Sequence, residues 1–234
     1  MTALKDNLEK LEEEIAQACR RAARPRAEVE LMAVSKTYPA EVIAEAAALG
    51  LKLFGENRVQ EFADKFPRVA GLADAKFHMI GHLQSNKSAK AAEIFHAVDS
   101  IDSAKLAWRL NDSAQKLGKT LDVLIEINVG GEQAKSGLAP DSPELDATLS
   151  QAPQWASLHI RGLMTVPPFT DDPEGARPYF RQLCELRDHL NARHLPSVVL
   201  DVLSMGMSHD FEVAIEEGAT RVRVVTALFG SREP

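Results

Sequence analysis

Cysteine is scarce in this chain. Only Cys19 and Cys184 occur in 234 residues, and neither sits in a CxxC or zinc-ligand spacing. Both fall on helical faces and read as buried thiols. Long apolar runs are missing too: nothing approaches the roughly 18 residues of a membrane span. The first residues, MTALKDNLEKLEEEIAQACRR, have no apolar signal core and are too acidic for a transit peptide. Positive charge is in deficit. Lysine plus arginine is 27 and aspartate plus glutamate is 34, so the net charge is 27 − 34 = −7. That balance speaks against general nucleic-acid binding. No GxGxxG follows the first apolar run, which weakens a dinucleotide-binding fold. These absences set the expectation of a cytoplasmic protein with neither membrane nor nucleic acid as partner. No linker divides the chain, and 45% hydrophobic with 26% charged residues is ordinary globular usage. One domain over residues 1–234 is expected.

What is present is an alternation. A first helix carries Leu4, Leu8, Leu11, Ile15 and Cys19 on one face and stops before Pro25. Arg20, Arg21, Arg24 and Arg26 cluster at its end, where a basic helix terminus faces the macrodipole; a phosphate patch is the competing reading. Eight short apolar runs follow: Glu30–Val34, Leu51–Gly55, Phe77–Ile80, His96–Val98, Asp122–Ile127, Leu158–Leu163, Val198–Ser204 and Arg221–Val225. Helical stretches with start and stop signals lie between most of them. Pro39 opens one and Gly50 closes it. Asn57 with Gln60 resembles a capping box. Asp102 or Ser103 starts another, Asp172-Pro173 a further one, and Ser208 one that Gly218 ends. Strand–helix alternation means parallel strands with helical crossovers. Eight units predict an α/β fold, a single-domain (β/α)8 TIM barrel with an extra N-terminal helix. An open doubly wound sheet is the alternative.

A barrel builds its site from the C-terminal ends of its strands. Lys36 follows the first run. At the rim of an apolar interior its amine is partly desolvated and becomes a Schiff-base nucleophile, or else it snorkels to solvent. After the second run come Gly55-Glu56-Asn57-Arg58. Around the third lie His78 and His82, whose spacing invites a metal, but Gly81 breaks the helix that such a pair requires. A polar wall or structural contact is the favoured reading, and no metal is expected. Asn128 to Gly137 and Met164 to Pro168 follow the fifth and sixth runs. After the seventh, Ser204-Met205-Gly206-Met207-Ser208 offers hydroxyls, a glycine and free N–H groups as an anion site, with Ser208 also fit to cap a helix. Arg223, Val225 and Thr226 belong to the eighth run and its end. A strand-one lysine with phosphate loops after strands seven and eight suits a phosphorylated aldehyde, and pyridoxal 5′-phosphate (PLP) fits.

The segments Ala33-Val34-Ser35-Lys36, Phe54 to Arg58, His78 to Lys87, Arg161 to Met164, Leu203 to Asp210 and Phe229-Gly230 resemble the pyridoxal phosphate homeostasis protein family. Its members are single-domain relatives of the N-terminal barrel of alanine racemase. The resemblance spans nearly the whole chain in order. It implies a PLP aldimine on Lys36. It implies phosphate contacts from Ser204, Gly206, Met207 and Ser208 and from the segment around Thr226. It places Asn57 near the ring and Arg223 at the pyridine nitrogen, which a permanent cation keeps unprotonated. The family usually has glycine where this chain has Val225, so phosphate affinity falls if that glycine is needed for its conformation and holds if only its N–H is used.

Four functions follow for comparison. The leading one is a PLP carrier of intracellular vitamin B6 homeostasis, without dedicated turnover, monomeric and serving PLP-dependent client enzymes. The alternative is a weak amino-acid racemase, but that chemistry needs a second acid opposite Lys36, and the only tyrosines are Tyr38 and Tyr179. A cofactor-free Schiff-base aldolase and an inert scaffold complete the set. Lys87 and Lys135 stand as candidates for a second aldehyde site, with a solvated lysine the favoured reading of each.

Overall fold

The computed structural model describes residues 3–132 and 136–230. Helix α1 (Ala3–Arg21) precedes β1 (Glu30–Val34), and the chain continues through α2 (Ala40–Ala48), β2 (Leu53–Glu56), α3 (Val59–Val69), β3 (Lys76–Met79), α4 (Ser88–Ile94) and β4 (Ala97–Ile101). The second half runs α5 (Ala104–Lys116), β5 (Leu121–Glu126), α6 (Pro143–Ser150), β6 (Leu158–Met164), α7 (Arg177–Ala192), β7 (Val198–Met207), α8 (Phe211–Glu216), β8 (Arg221–Val224) and α9 (Thr226–Phe229). All strand pairs are parallel, and β1 pairs with β8 to close the barrel. The expected (β/α)8 architecture with its extra N-terminal helix is observed.

The closure follows from patterning. Leu31 and Ala33 join the core beneath the helices, so alternation turns Met32 and Val34 inward. Met32 pairs in the ladder with Arg223 and Val34 with Gly55, which sets those residues on the same inner face. Outside, Phe62 of α3 stacks on Phe77 and Phe95 at 4.9 and 4.8 Å between ring centres, fastening that helix to β3 and the end of α4. The amphipathic face of α1 buries Leu4, Leu11, Ile15 and Cys19 against α8 and α9. Its arginines are spent on neighbours: Arg21 on Glu212 and Glu216, Arg24 on the carbonyls of Ile215 and Ala219, Arg26 on Glu12. Cys19 is buried as expected, whereas Cys184 is only half-buried, beside Arg187. Among the described residues no helix is long and apolar enough to cross a membrane.

Three helix starts differ from the sequence reading. α3 is capped by Arg58 with no side-chain bond, so Asn57 and Gln60 form no capping box. β7 runs on to Met207, and α8 starts after Asp210, so Ser208 is not its cap. Asp172 caps a short 3-10 turn, Pro173–Ala176, and α7 begins only at Arg177. Ser103 does cap α5, accepting from Leu106 N–H.

Candidate functional site

The two ends of the barrel differ. At the N-terminal end, Arg221 reaches from β8 to Asp99 on β4 (3.1 Å) and Glu30 on β1 (2.7 Å), and Asp99 also takes His78 Nδ1 at 3.0 Å. Bonds between strands that are not neighbours run through the interior. The adjoining cavity of about 490 Å³ is lined by these same paired charges, which is the structural end of such a fold. His78 therefore belongs to this cluster. His82 belongs to the other end, with Nδ1 at 3.0 Å from Asp102. The two histidines serve different carboxylates.

At the C-terminal end the strand order brings the first and last strands together. Lys36 lies just beyond β1, half-buried, and continues the inward parity of Met32 and Val34. No hydrogen bond or ion pair engages it among the described residues. By the Val34–Gly55 register, Asn57 is its neighbour on the β2 side. The side chain of Asn57 likewise has no hydrogen-bond partner among the described residues. Its backbone is crossed so closely by Gly81 that a Cβ there would stand 2.3 Å from Asn57 O. Glu56 takes the opposite parity and faces Lys65 of α3 at 3.0 Å, outside the barrel. That removes it from the polar group read at the β2 end.

On the β8 side Arg223 is buried. Its Nη1 donates to Ser204 O (2.6 Å) and Ser204 Oγ (2.8 Å), and Nη2 donates to Thr165 O (2.7 Å). Thr165 in turn donates to Ile127 O at 2.7 Å. Burial brings Arg223 down to about 10, against the pull of Asp99, Asp210 and Glu126, so it is still cationic at neutral pH. Gly206 is buried at φ +90°. Met207 N–H donates to Asp210 Oδ1 at 2.6 Å, so that donor is already occupied. Ser208 Oγ accepts from Val225 N–H at 3.0 Å and from Ala227 N–H at 3.5 Å, and Thr226 beside them is exposed. Val225 has φ −117°, so a glycine's conformational freedom is not required here, and its N–H points to Ser208.

Beside Asn57, over the ends of β2 to β6, opens a cleft of about 580 Å³, lined by Asn57, Ile80, His82, Asp102, Glu126 and Val166 among others. That volume is in the range of small-molecule sites. Glu126 ends β5. Its Oε1 accepts the Ser136 hydroxyl at 2.8 Å, while Oε2 is buried without a partner among the described residues. Burial raises this carboxyl above its ordinary 4.5; Asp102 adds to the rise, and Ser136, Arg223 and His82 oppose it. A carboxyl with a raised native pKa holds its proton more tightly in the folded chain, so its contribution to stability falls as the pH climbs past 4.5. Glu126→Gln is therefore expected to melt above wild type at neutral pH, with the gain vanishing below pH 4.5. Melting curves across pH read this directly, and a gain independent of pH would remove charge as its cause.

The structure thus brings together Lys36, Asn57, Ser204, Gly206, Ser208, Arg223 and Thr226 at one end of the barrel. Lys87 is exposed near Asn57 and His82, and Lys135 lies outside the described residues. Sequence reasoning, which reads Thr165 as a loop cap, missed its carbonyl as the acceptor of Arg223, and it missed Glu126 and the partners of Glu56. Glu126 is legible as the acid inside the apolar run Asp122–Ile127, on the parity of Leu124.

The chain matches the family model of the alanine racemase N-terminal domain over residues 7–233. It is 46% identical over 228 residues to the pyridoxal phosphate homeostasis protein of Aquifex aeolicus, covering 97% of this chain and 98% of that one. The Pseudomonas aeruginosa protein of the same name is 43% identical, covering 100% and 97%. Among solved structures, PipY of Synechococcus elongatus with PLP bound superposes with a TM-score of 0.82 at 37% identity, covering 97% of this chain and all of that one. Alanine racemase of Clostridium difficile shares the fold alone, with a TM-score of 0.72 at 14% identity over 56% of its length.

Proposed function

The chain belongs to the pyridoxal phosphate homeostasis protein family, and from that premise we propose that it binds PLP covalently through Lys36 and serves vitamin B6 homeostasis. The observation that carries this reading is the closure of β8 onto β1, which sets Lys36, without a hydrogen bond or ion pair among the described residues, beside the Arg223–Thr226 segment. The residues present fit the group. Lys36 offers an uncommitted amine. Ser208, Gly206 and Thr226 line the phosphate end, with Ser204 behind them. The cationic Arg223, held by three bonds, would face the ring nitrogen, and Asn57 would lie beside the ring. When bound, the cofactor supplies an aldehyde that condenses with the Lys36 amine with loss of water.

Dedicated turnover is not part of this reading. Tyr38, the tyrosine closest in sequence to Lys36, has its hydroxyl on Gly230 O at 3.2 Å and its ring 4.7 Å from that of Phe229. The protein acts as a cytoplasmic monomer that delivers the cofactor to PLP-dependent client enzymes. Weak racemisation is the second reading, favoured only by the fold shared with alanine racemase.

The test is an absorption spectrum with added PLP, followed by borohydride reduction and peptide mapping. A visible band and an adduct on the Lys36 peptide are expected; no adduct would hand the lead to the aldolase and scaffold readings. Amino-acid turnover by the loaded protein then separates carrier from racemase. Ser208→Ala leaves Val225 N–H without its acceptor. It is expected to cost about 0.5–1.5 kcal/mol in thermal unfolding and to weaken retention in a cofactor titration. Unchanged values for both would remove Ser208 from the site.

A further inference from the structure

Lys36 sits in a turn that the protein holds from both sides. The last ladder bond runs from Ser35 N–H to Gly55 O at 3.0 Å. The chain then reverses, and Tyr38 N–H closes on Ser35 O at 3.1 Å with Lys36 and Thr37 as the central residues. Thr37 has φ +65°. A β-branched residue is disfavoured in that left-handed region, where turns normally place glycine or asparagine. Such a conformation persists only where the surroundings over-determine it.

One ammonium supplies that constraint. Lys65 Nζ lies 3.0 Å from Ser35 O, 3.0 and 3.1 Å from the two Glu56 oxygens, and 2.8 Å from Glu61 Oε1. An ammonium has three donors, and this one uses them all. Its partners complete the grip. Ser35 Oγ donates to Glu56 Oε1 at 2.7 Å, and Thr37 N–H donates to Glu61 Oε1. Both residues flanking Lys36 are thus fixed through Lys65, while Lys36 itself is left free. Holding α3 in place does not need this network, because Phe62 already packs that helix onto Phe77 and Phe95. A buried ion pair adds little net stability over an apolar pair of equal volume, so its presence here calls for another role.

We propose that Lys65, with Glu56 and Glu61, is a positioning device that presets the turn carrying Lys36 for its ligand. The proposal rests on the reading of Lys36 as the cofactor lysine. Presetting the turn removes an ordering cost from binding.

The variants Lys65→Met, the double variant Lys65→Met with Glu56→Gln, and Glu61→Ala separate this role from a structural one. Lys65→Met strands the buried Glu56 carboxylate, so both melting temperature and PLP affinity should fall. The double variant removes that charge. Its melting temperature should recover toward wild type while its PLP affinity stays about tenfold or more weaker. Recovery of both would overturn the proposal, and so would wild-type affinity in Lys65→Met. Glu61→Ala severs the Thr37 contact without unpairing Glu56, and keeps the question open to test if the other variants fold poorly. It should weaken retention, and unchanged affinity counts against the device. Amide exchange at Thr37 and Tyr38 in cofactor-free protein should quicken in Glu61→Ala and in every Lys65 variant that folds. That last measurement needs no cofactor. Failure of wild type to form an adduct on Lys36 would therefore sink the functional reading, while unaltered exchange would sink the positioning device.

Discussion

Lys36→Ala is expected to abolish the borohydride-reducible PLP adduct and leave the fold intact. No hydrogen bond or ion pair of a described residue is lost with the side chain. The stability change should therefore stay within about 0.5 kcal/mol, as for substitutions that disturb no packing or polar network. The turn around it is held by Ser35, Thr37 and Lys65 rather than by Lys36. Peptide mapping after reduction, run beside a thermal melt, reads both halves. An adduct of wild-type yield in the variant would move the primary site to another lysine, with Lys87 the first to examine. A large loss of stability would mean that the Lys36 stem packs more than its half-burial indicates.

Gly206→Val should be the most damaging change in the segment proposed to hold the phosphate. At φ +90° this residue lies where a β-branched side chain is strongly disfavoured. A Cβ would stand 2.6 Å from Ala214 Cβ and 3.0 Å from Phe211 Cα, so α8 or the end of β7 has to move. Left-handed strain and overpacking together cost about 2–5 kcal/mol. The displacement also reaches Ser204, two residues back, whose carbonyl and hydroxyl hold Arg223. Denaturant unfolding and PLP titration should both worsen, and the milder Gly206→Ala should fall between. Wild-type stability in the valine variant would mean that the segment relaxes without transmitting strain to its neighbours.

The fold was legible because its signals are local and repeated. β1 was read at its full extent, Glu30–Val34, from one apolar run with a polar start. β7 was cut short at Ser204 because Met205, Gly206 and Met207 look like a turn; the ladder to β8 carries pairing on to Met207. Lys36, Asn57, Arg223 and Ser208 could be chosen by their place after strands. Their partners could not, since Ser208 to Val225 and Arg223 to Thr165 are contacts fixed by tertiary geometry. Ser208 shows the difference well. Its identity suits a helix cap, but two strand ends arriving together give its hydroxyl a different task. Parity alone would have sorted Glu56 from Asn57, with the former turned to α3 and the latter to the cleft.

The seam between β1 and β8, with the hydrogen bond from Asn7 Nδ2 of α1 to Leu228 O of α9 at 3.0 Å beside it, also sets an order in time. A ribosome delivers β1 before the other strands and β8 after them, so the opening strand waits without its second neighbour until β8 has emerged. Contacts that join such distant positions are slow to form and leave edges exposed meanwhile. Lys36 comes from the first strand to be made and Arg223 from the last. The site proposed for both therefore cannot assemble before β8 pairs with β1, and loading with cofactor would mark a barrel that has closed.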